Sequence, residues 1–381
     1  MNRETTPLRK QGTTARAKGS LRSKLLTALM TVLLLLGGVE AYARLALQVQ
    51  PNLERFQLNH DLGWEWTPGY DAVETYHGVS YHMQISRQSL RNEDIAVPKP
   101  VDIYRIIVLG DSVTEGPGVE LEATFPKLLE RSLRDGGTPR PAVVPCFRKG
   151  VEVINAGTGD YGAEQERLWL QTRGLDYQPD LVILDIYLND WRGFRQPPAL
   201  VALFHNLFIQ RSAFYYYYNS FRDRRVTQEE TKSDFRFRFG DTWKSRSWVT
   251  DADMLTRLIQ EADQDWGAAW NDKPMGRIKD ELGQIIRLMR QRGIGLLVVL
   301  FPVDAQVYAR VDTPLGLERP QRELAAAADG AGVAVLDLLP VLREHRQEDL
   351  FYDQAHLRPA THHLVADAIL RALDEHQLIL Q

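Results

Sequence analysis

The stretch Tyr104-Arg105-Ile106-Ile107-Val108-Leu109-Gly110-Asp111-Ser112 carries apolar side chains at successive positions and ends in a glycine. Successive rather than alternate apolar residues mark a strand buried on both faces, as in a parallel sheet, and the glycine marks its carboxyl end. The pattern continues downstream, where residues 151–155, 181–187, 294–301 and 333–338 read as four more buried strands. Helices are expected between them. One starts at Phe125, with Thr124 as its cap, Pro126 in its first turn and Gly136 beyond its end; others cover 163–173, 277–292, 320–328 and 359–376. Strands alternating with helices predict a parallel sheet covered on both faces, with ligands at the carboxyl ends of its strands.

Four short motifs fall at those ends or in the last loop. Ser112 follows strand one directly, where its hydroxyl can stand at the mouth of the sheet beside the amides of a following helical turn. Asn155-Ala156-Gly157-Thr158-Gly159-Asp160-Tyr161-Gly162 follows strand two, and its glycines let backbone approach a ligand and aim an amide at it. Asn189-Asp190 follows strand three, and an asparagine amide can donate to an oxyanion. Asp353-Gln354-Ala355-His356 lies between strand five and the last helix; the histidine can take a serine proton and the aspartate can orient the imidazole.

Taken together, and in this order, Ser, Gly, Asn and His resemble the four blocks of the SGNH, or GDSL-type, hydrolases. The similarity runs from about Ile103 to Ala366, and includes Gly110-Asp111-Ser112-Val113-Thr114-Glu115-Gly116, Gly118-Val119, Thr124-Phe125-Pro126 and His356-Leu357 with His362. Thr361 stands where a glycine is common in the last block. The resemblance implies Ser112 as nucleophile, His356 as base and Asp353 beside it. It also implies an oxyanion hole made of the Ser112 amide, a second-block amide and the Asn189 side chain. In many members the second-block glycine lies five residues after the asparagine, a position held here by Asp160; Gly159, one residue earlier, is the preferred donor because a carboxylate opposes a developing oxyanion. The expected fold is a three-layer α/β/α sandwich whose parallel sheet has the flavodoxin-like order 2-1-3-4-5. The expected reaction is acyl transfer from an ester through a serine-bound intermediate, without metal or organic cofactor.

Other classes are open to the same residues. Passing the acyl group to a sugar hydroxyl would make the protein an O-acyltransferase, and the aromatic insertion also admits lipid esters. A relative without catalysis would only bind glycans. Gly157–Gly162 also spells G-x-G-x-x-G, with Asp185 near a ribose-binding position, but a dinucleotide would bring its pyrophosphate against Asp160 and leave Ser112, Asn189, Asp353 and His356 unexplained. His77 and His82 are read as ordinary residues rather than metal ligands, and Tyr215–Tyr218 as helix packing.

The N-terminus sets the location. Arg3, Arg9, Lys10, Arg16, Lys18, Arg22 and Lys24, opposed only by Glu4, precede an apolar run from Leu25 to Val39. That order predicts a membrane helix whose basic side stays in the cytoplasm, with the remaining chain outside. The run reaches Leu47 if Glu40 and Arg44, one turn apart, pair near the outer interface. Ala41-Tyr42-Ala43 keeps a rival reading open, a cleaved signal and a secreted enzyme. The expected organisation is a basic cytoplasmic tail (1–24), an anchor or signal segment (25–47), an irregular N-terminal layer (48–102) and a hydrolase domain (103–381) with an aromatic-rich insertion at about 191–275. The 381 residues are 44% hydrophobic, enough for a substantial core, and the net charge of -4 offers no basic field for nucleic acid. A single cysteine, Cys146, rules out an internal disulfide. The location suggests O-acylated, above all O-acetylated, envelope glycans as substrates; protein partners and oligomeric state are not legible.

Overall fold

The structure is a computed structural model that describes residues 21–48, 54–135, 150–218 and 239–379. Most of the basic tail, Gly136, Cys146 and 219–238 of the insertion lie outside the described residues. The chain divides into two compact units, Met1–Asn52 with Arg211–Arg224, and Leu53–Gln210 with Arg225–Gln381.

In the first unit, α1 (Leu21–Leu45) is 25 residues long and contains an 18-residue stretch with a mean hydropathy of 1.9, long and apolar enough to cross a membrane. Near its end, Arg44 Nε donates to Glu40 Oε1 at 2.7 Å, the pairing read from their spacing. Glu40 also accepts from Ser212 Oγ (2.7 Å) and from the amides of Ala213 (2.8 Å) and Phe214 (3.1 Å), while Arg44 Nη2 donates to the Arg211 carbonyl at 2.8 Å.

The second unit opens with two antiparallel hairpins, β1 (Phe56–Asn59) with β2 (Gly63–Trp66), and β3 (Asp71–Tyr76) with β4 (Val79–Gln84). The segment read as irregular therefore contains four strands. They are short, and the outer faces of β3 and β4 stay exposed, so little hydrophobic pattern marks them. Trp66, Tyr81, Met83 and Ile85 form a small core of their own beneath the hairpins.

The central sheet is built from β5 (Ile103–Gly110), β6 (Gly150–Gly157), β7 (Leu181–Ile186), β8 (Gly295–Leu300) and β9 (Ala334–Asp337). All its pairings are parallel and its order is β6-β5-β7-β8-β9, the expected 2-1-3-4-5. Ile106–Leu109, Leu181–Leu184 and Leu297–Val299 are buried, which is why these strands read as continuous apolar runs. The register of the first pair brings two motifs together: Gly110 pairs with Gly157, so the loops after β5 and β6 leave the sheet side by side.

The helices include α2 (Ser112–Glu115), α3 (Phe125–Asp135), α4 (Ala163–Thr172), α5 (Ala199–Phe204), α6 (Ala252–Glu261), α7 (Asp272–Arg292), α8 (Arg319–Asp329) and α9 (Pro359–Glu375), with other short ones at Gly240–Ser245, Asp304–Tyr308 and Leu338–Glu344. α3 packs against α9, and α4 and α8 both pack against α7. These two groups form the outer layers of a three-layer sandwich. Within the insertion Trp248, Trp266 and Trp270 join the main core. The start of α3 departs from the sequence reading: the Thr124 hydroxyl donates backward to the Leu121 carbonyl (2.7 Å), and the Phe125 amide donates instead to His362 Nδ1 at 3.1 Å. Burial pushes His362 down to about 3, which keeps the ring a neutral acceptor under that helix.

Candidate active site

Ser112 begins the single turn of α2, immediately past β5. Asp111 caps that turn by accepting from the Val113 amide at 2.8 Å. Close packing holds the turn against β6: a Cβ on Gly157 would lie 2.2 Å from the Glu115 nitrogen, so only glycine fits there. The same crowding accounts for the first glycine of the G-x-G-x-x-G run without any nucleotide. Asp185, the other residue of the dinucleotide reading, is buried and accepts from Thr114 Oγ1 at 2.5 Å.

The loop between β9 and α9 brings His356 to the serine. Its Nε2 lies 2.8 Å from Ser112 Oγ, and its Nδ1 lies 2.9 Å from Asp353 Oδ2. Asp353 is fixed in turn, because Oδ1 accepts the amides of Ala355 and His356, each at 2.8 Å. The loop is closed by the Tyr352 amide donating to the His356 carbonyl at 2.8 Å and by a bridge between Phe351 and Leu357. Burial favours protonated Asp353, but the His356 charge and these hydrogen bonds prevail and hold its carboxyl well below the usual range. For His356, burial favours the neutral ring, yet the charges of Asp353, Asp111 and Glu115 raise it above the ordinary histidine value. A hydroxyl, an imidazole and a carboxylate in line can move a proton off Ser112 Oγ and hold the resulting imidazolium.

The hairpin β3–β4 adds a residue that the sequence reading missed. Tyr76 OH donates to Asp353 Oδ2 and lies 2.7 Å from His356 Nδ1. Its neighbour His77, in the two-residue turn, sits 3.5 Å from the same carboxylate oxygen through Nε2. The signal was the His77-Gly78 turn between alternating residues, a hairpin pattern that places no side chain by itself. Tyr76→Phe is expected to lower kcat by roughly tenfold to a hundredfold, the worth of one hydrogen bond to a charged group, with KM and the melting point little changed. An unchanged kcat would make Tyr76 a packing residue only.

The two candidate second-block amides differ in what they bind. The Gly159 amide, preferred from sequence, donates to Glu115 Oε2 at 2.6 Å and is already engaged. Asp160 follows it with φ +61, the left-handed region, which explains why a glycine is common at this position and why aspartate is tolerated. Its amide makes no hydrogen bond among the described residues, and its carboxylate is exposed, 3.6 Å from Arg192 Nη1. Among the described residues, buried Asn189 Oδ1 has no donor and its side-chain amide has no acceptor. The Asn189 turn is shaped by Asp190, whose Oδ2 accepts the Tyr187 amide at 2.8 Å.

Glu115 ties this loop to the N-terminal hairpins. Burial favours its neutral form, and Arg55 and Arg91 oppose that; Arg55 bonds the Glu115 carboxylate, while buried Arg91 donates to the carbonyls of Glu115, Gly116 and Val119. Behind Ser112 lie Asp111, Glu166, Asp185 and Asp190, all buried. Burial pushes Asp111 up to about 6; burial, reinforced by the neighbouring acids, holds Glu166, Asp185 and Asp190 well above the carboxylate range. Glu166, Asp185 and Asp190, held neutral in this way, do not oppose an oxyanion forming at the serine. Among the described residues no group of three or more His, Cys, Asp or Glu side chains could hold a metal. A cavity of about 420 Å³ opens beside Asp160, lined by Phe56, Trp64, Arg192 and Gly193.

Residues 108–364 match the model of the GDSL-like lipase/acylhydrolase family. The chain belongs to that family and is an SGNH-type ester hydrolase. Its structure is similar to that of the acetyl xylan esterase AlAXEase, at 16% identity and TM-score 0.41, covering 71% of this chain and 99% of that one. It is also similar to Axe2, an acetylxylan esterase from Geobacillus stearothermophilus, at 12% identity and TM-score 0.41, covering 71% and 94%. A third similar structure is LAE5, an alpha/beta hydrolase enzyme from the metagenome of Lake Arreo, Spain, at 13% identity and TM-score 0.38, covering 73% and 96%. No curated protein sequence shows significant similarity to the chain.

Proposed function

We propose that the protein is a serine esterase that removes O-acyl groups, acetyl above all, from glycans outside the cytoplasmic membrane. The observation that carries the chemistry is the line Ser112 Oγ, His356 Nε2 and Nδ1, Asp353 Oδ2, with spacings of 2.8 and 2.9 Å. In this reading His356 Nε2 takes the Ser112 proton as Oγ attacks the ester carbonyl. The amides of Ser112 and Asp160 and the side chain of Asn189 receive the oxyanion. His356 returns the proton to the departing sugar oxygen, leaving acyl-Ser112, and water cleaves that intermediate by the same steps to release the acid. Asn189→Ala is expected to lower kcat by about a hundredfold to a thousandfold with KM nearly unchanged. An effect on KM alone would make Asn189 a substrate-binding residue.

The location rests on α1 as a retained anchor behind Arg3, Arg9, Lys10, Arg16, Lys18, Arg22 and Lys24. Alkaline phosphatase fused beyond β1 is expected to be active, and a cytoplasmic reporter there silent. The reverse pattern would overturn the exported site and the envelope substrate together. The substrate is tested by product analysis: acetylated oligosaccharides should release acetate, with or without a free sugar acceptor. Acetyl transfer to the acceptor would make the protein an acyltransferase, and release from simple esters but not glycans would remove the glycan.

A further inference from the structure

The segment Ala199–Ile209, formed by α5 and the π-turn that continues it, is amphipathic in the reverse sense for a water-facing surface. Ala202, Asn206 and Gln210, spaced by four, face the protein, and two of the three are polar. Asn206 brackets Leu58 of β1, accepting from its amide at 3.1 Å and donating to its carbonyl at 2.7 Å. Gln210 Nε2 donates to the Phe56 carbonyl at 3.0 Å and to Thr67 Oγ1 at 3.2 Å. The outer face carries Leu200, Leu203, Phe204, Leu207 and Phe208, exposed by 80, 55, 56, 45 and 61%. A helix beside water turns its apolar stripe inward. This one spends polar side chains on holding a strand and offers a continuous apolar stripe outward, the mark of an interaction surface.

The next residues of the chain indicate what covers that stripe. Only Gln210 separates the segment from Arg211–Phe214, which bind Glu40 and Arg44 near the end of α1. Phe214, Tyr217 and Tyr218 expose their rings in that same unit, the residue types that gather at a membrane–water interface. We propose that Ala199–Ile209 lies in the outer surface of the lipid bilayer, with its Leu and Phe side chains among the acyl chains. The proposal rests on the reading of α1 as a retained anchor. Its consequence concerns the substrate. The strand held by Asn206 and Gln210 begins with Phe56, and Phe56 and Trp64 wall the cavity beside Asp160. Docking this helix brings that cavity, beside the proposed oxyanion amide of Asp160, to the membrane surface, so the esters the site meets are carried at that surface rather than taken from bulk solvent.

The test uses the full chain in vesicles of phosphatidylethanolamine and phosphatidylglycerol. Single nitroxides are attached at Leu200→Cys, Phe204→Cys and Phe208→Cys, all carrying Cys146→Ser. Leu33→Cys reports on the anchor and Lys273→Cys on water. Relative accessibility to oxygen and to a water-soluble nickel chelate is expected to resemble Leu33 in sign at all three helix positions, several times the oxygen-to-nickel ratio at Lys273. Ratios like that of Lys273, with Leu33 in the bilayer, would overturn the docked helix and leave the anchor standing. Spin–spin broadening that vanishes on dilution with unlabelled protein would assign the stripe to a second copy of the chain and equally overturn the proposal. A nickel-accessible Leu33 would remove the anchor and the docking together.

Discussion

Ser112→Ala is expected to lower kcat/KM for a soluble acetyl ester by roughly 10⁴- to 10⁶-fold, with the melting temperature within about two degrees of wild type. The two effects separate because the hydroxyl carries chemistry and little structure. Its hydrogen bond is to His356 Nε2. The turn on which it stands is held by the Asp111 cap, by the Gly157 approach and by Arg91 on the Glu115 and Gly116 carbonyls, none of which involves Oγ. Turnover within tenfold of wild type would remove Ser112 from the reaction, and a large loss of melting temperature would make the lost activity uninformative about its role.

Asp353→Asn is the second large effect, with an expected loss of about 10⁴-fold. Asparagine keeps an oxygen for the Ala355 and His356 amides, so the loop keeps its shape while its charge is removed. The pH profile separates orientation from charge. His356 must be neutral to accept the Ser112 proton. Burial pulls its pKa down, but the Asp353 charge, aided by Asp111 and Glu115, lifts it above the ordinary value. Wild-type activity is therefore expected to rise through an ionisation above ~6.5. Removing Asp353's charge leaves burial opposed only by the weaker contributions, so the limb moves to lower pH in the variant. A limb that stays in place while the melting temperature falls would show that Asp353 shapes the loop and does nothing to the base.

The strands and blocks that carry this site were legible because they are local. β5, β6, β7 and β8 are buried on both faces, so their apolar residues run consecutively, and Ser112, Asn155–Gly162 and Asn189 come directly after those runs or at their ends. Tyr76, Arg55 and Arg91 were not legible. Their roles arise where the N-terminal hairpins meet loops from distant parts of the chain, and a tyrosine in a short half-exposed strand carries no mark of the carboxylate it will touch. The choice of Gly159 over Asp160 turned on charge, whereas the structure turns on which amide is already engaged: Glu115 holds the first, and the left-handed Asp160 leaves the second unbonded among the described residues. The reversed polarity of Ala199–Ile209 is hidden for a similar reason, since periodicity identifies an apolar stripe without saying which way it faces.

The most direct test of Ser112 as an activated nucleophile is reaction of the full-length protein with a fluorophosphonate probe, followed by mass spectrometry of its peptides. One adduct is expected, on the peptide containing Ser112, forming faster as pH rises through the His356 ionisation and lost in His356→Ala. Modification at another residue, or ester hydrolysis that continues while Ser112 stays unmodified, would contradict the account.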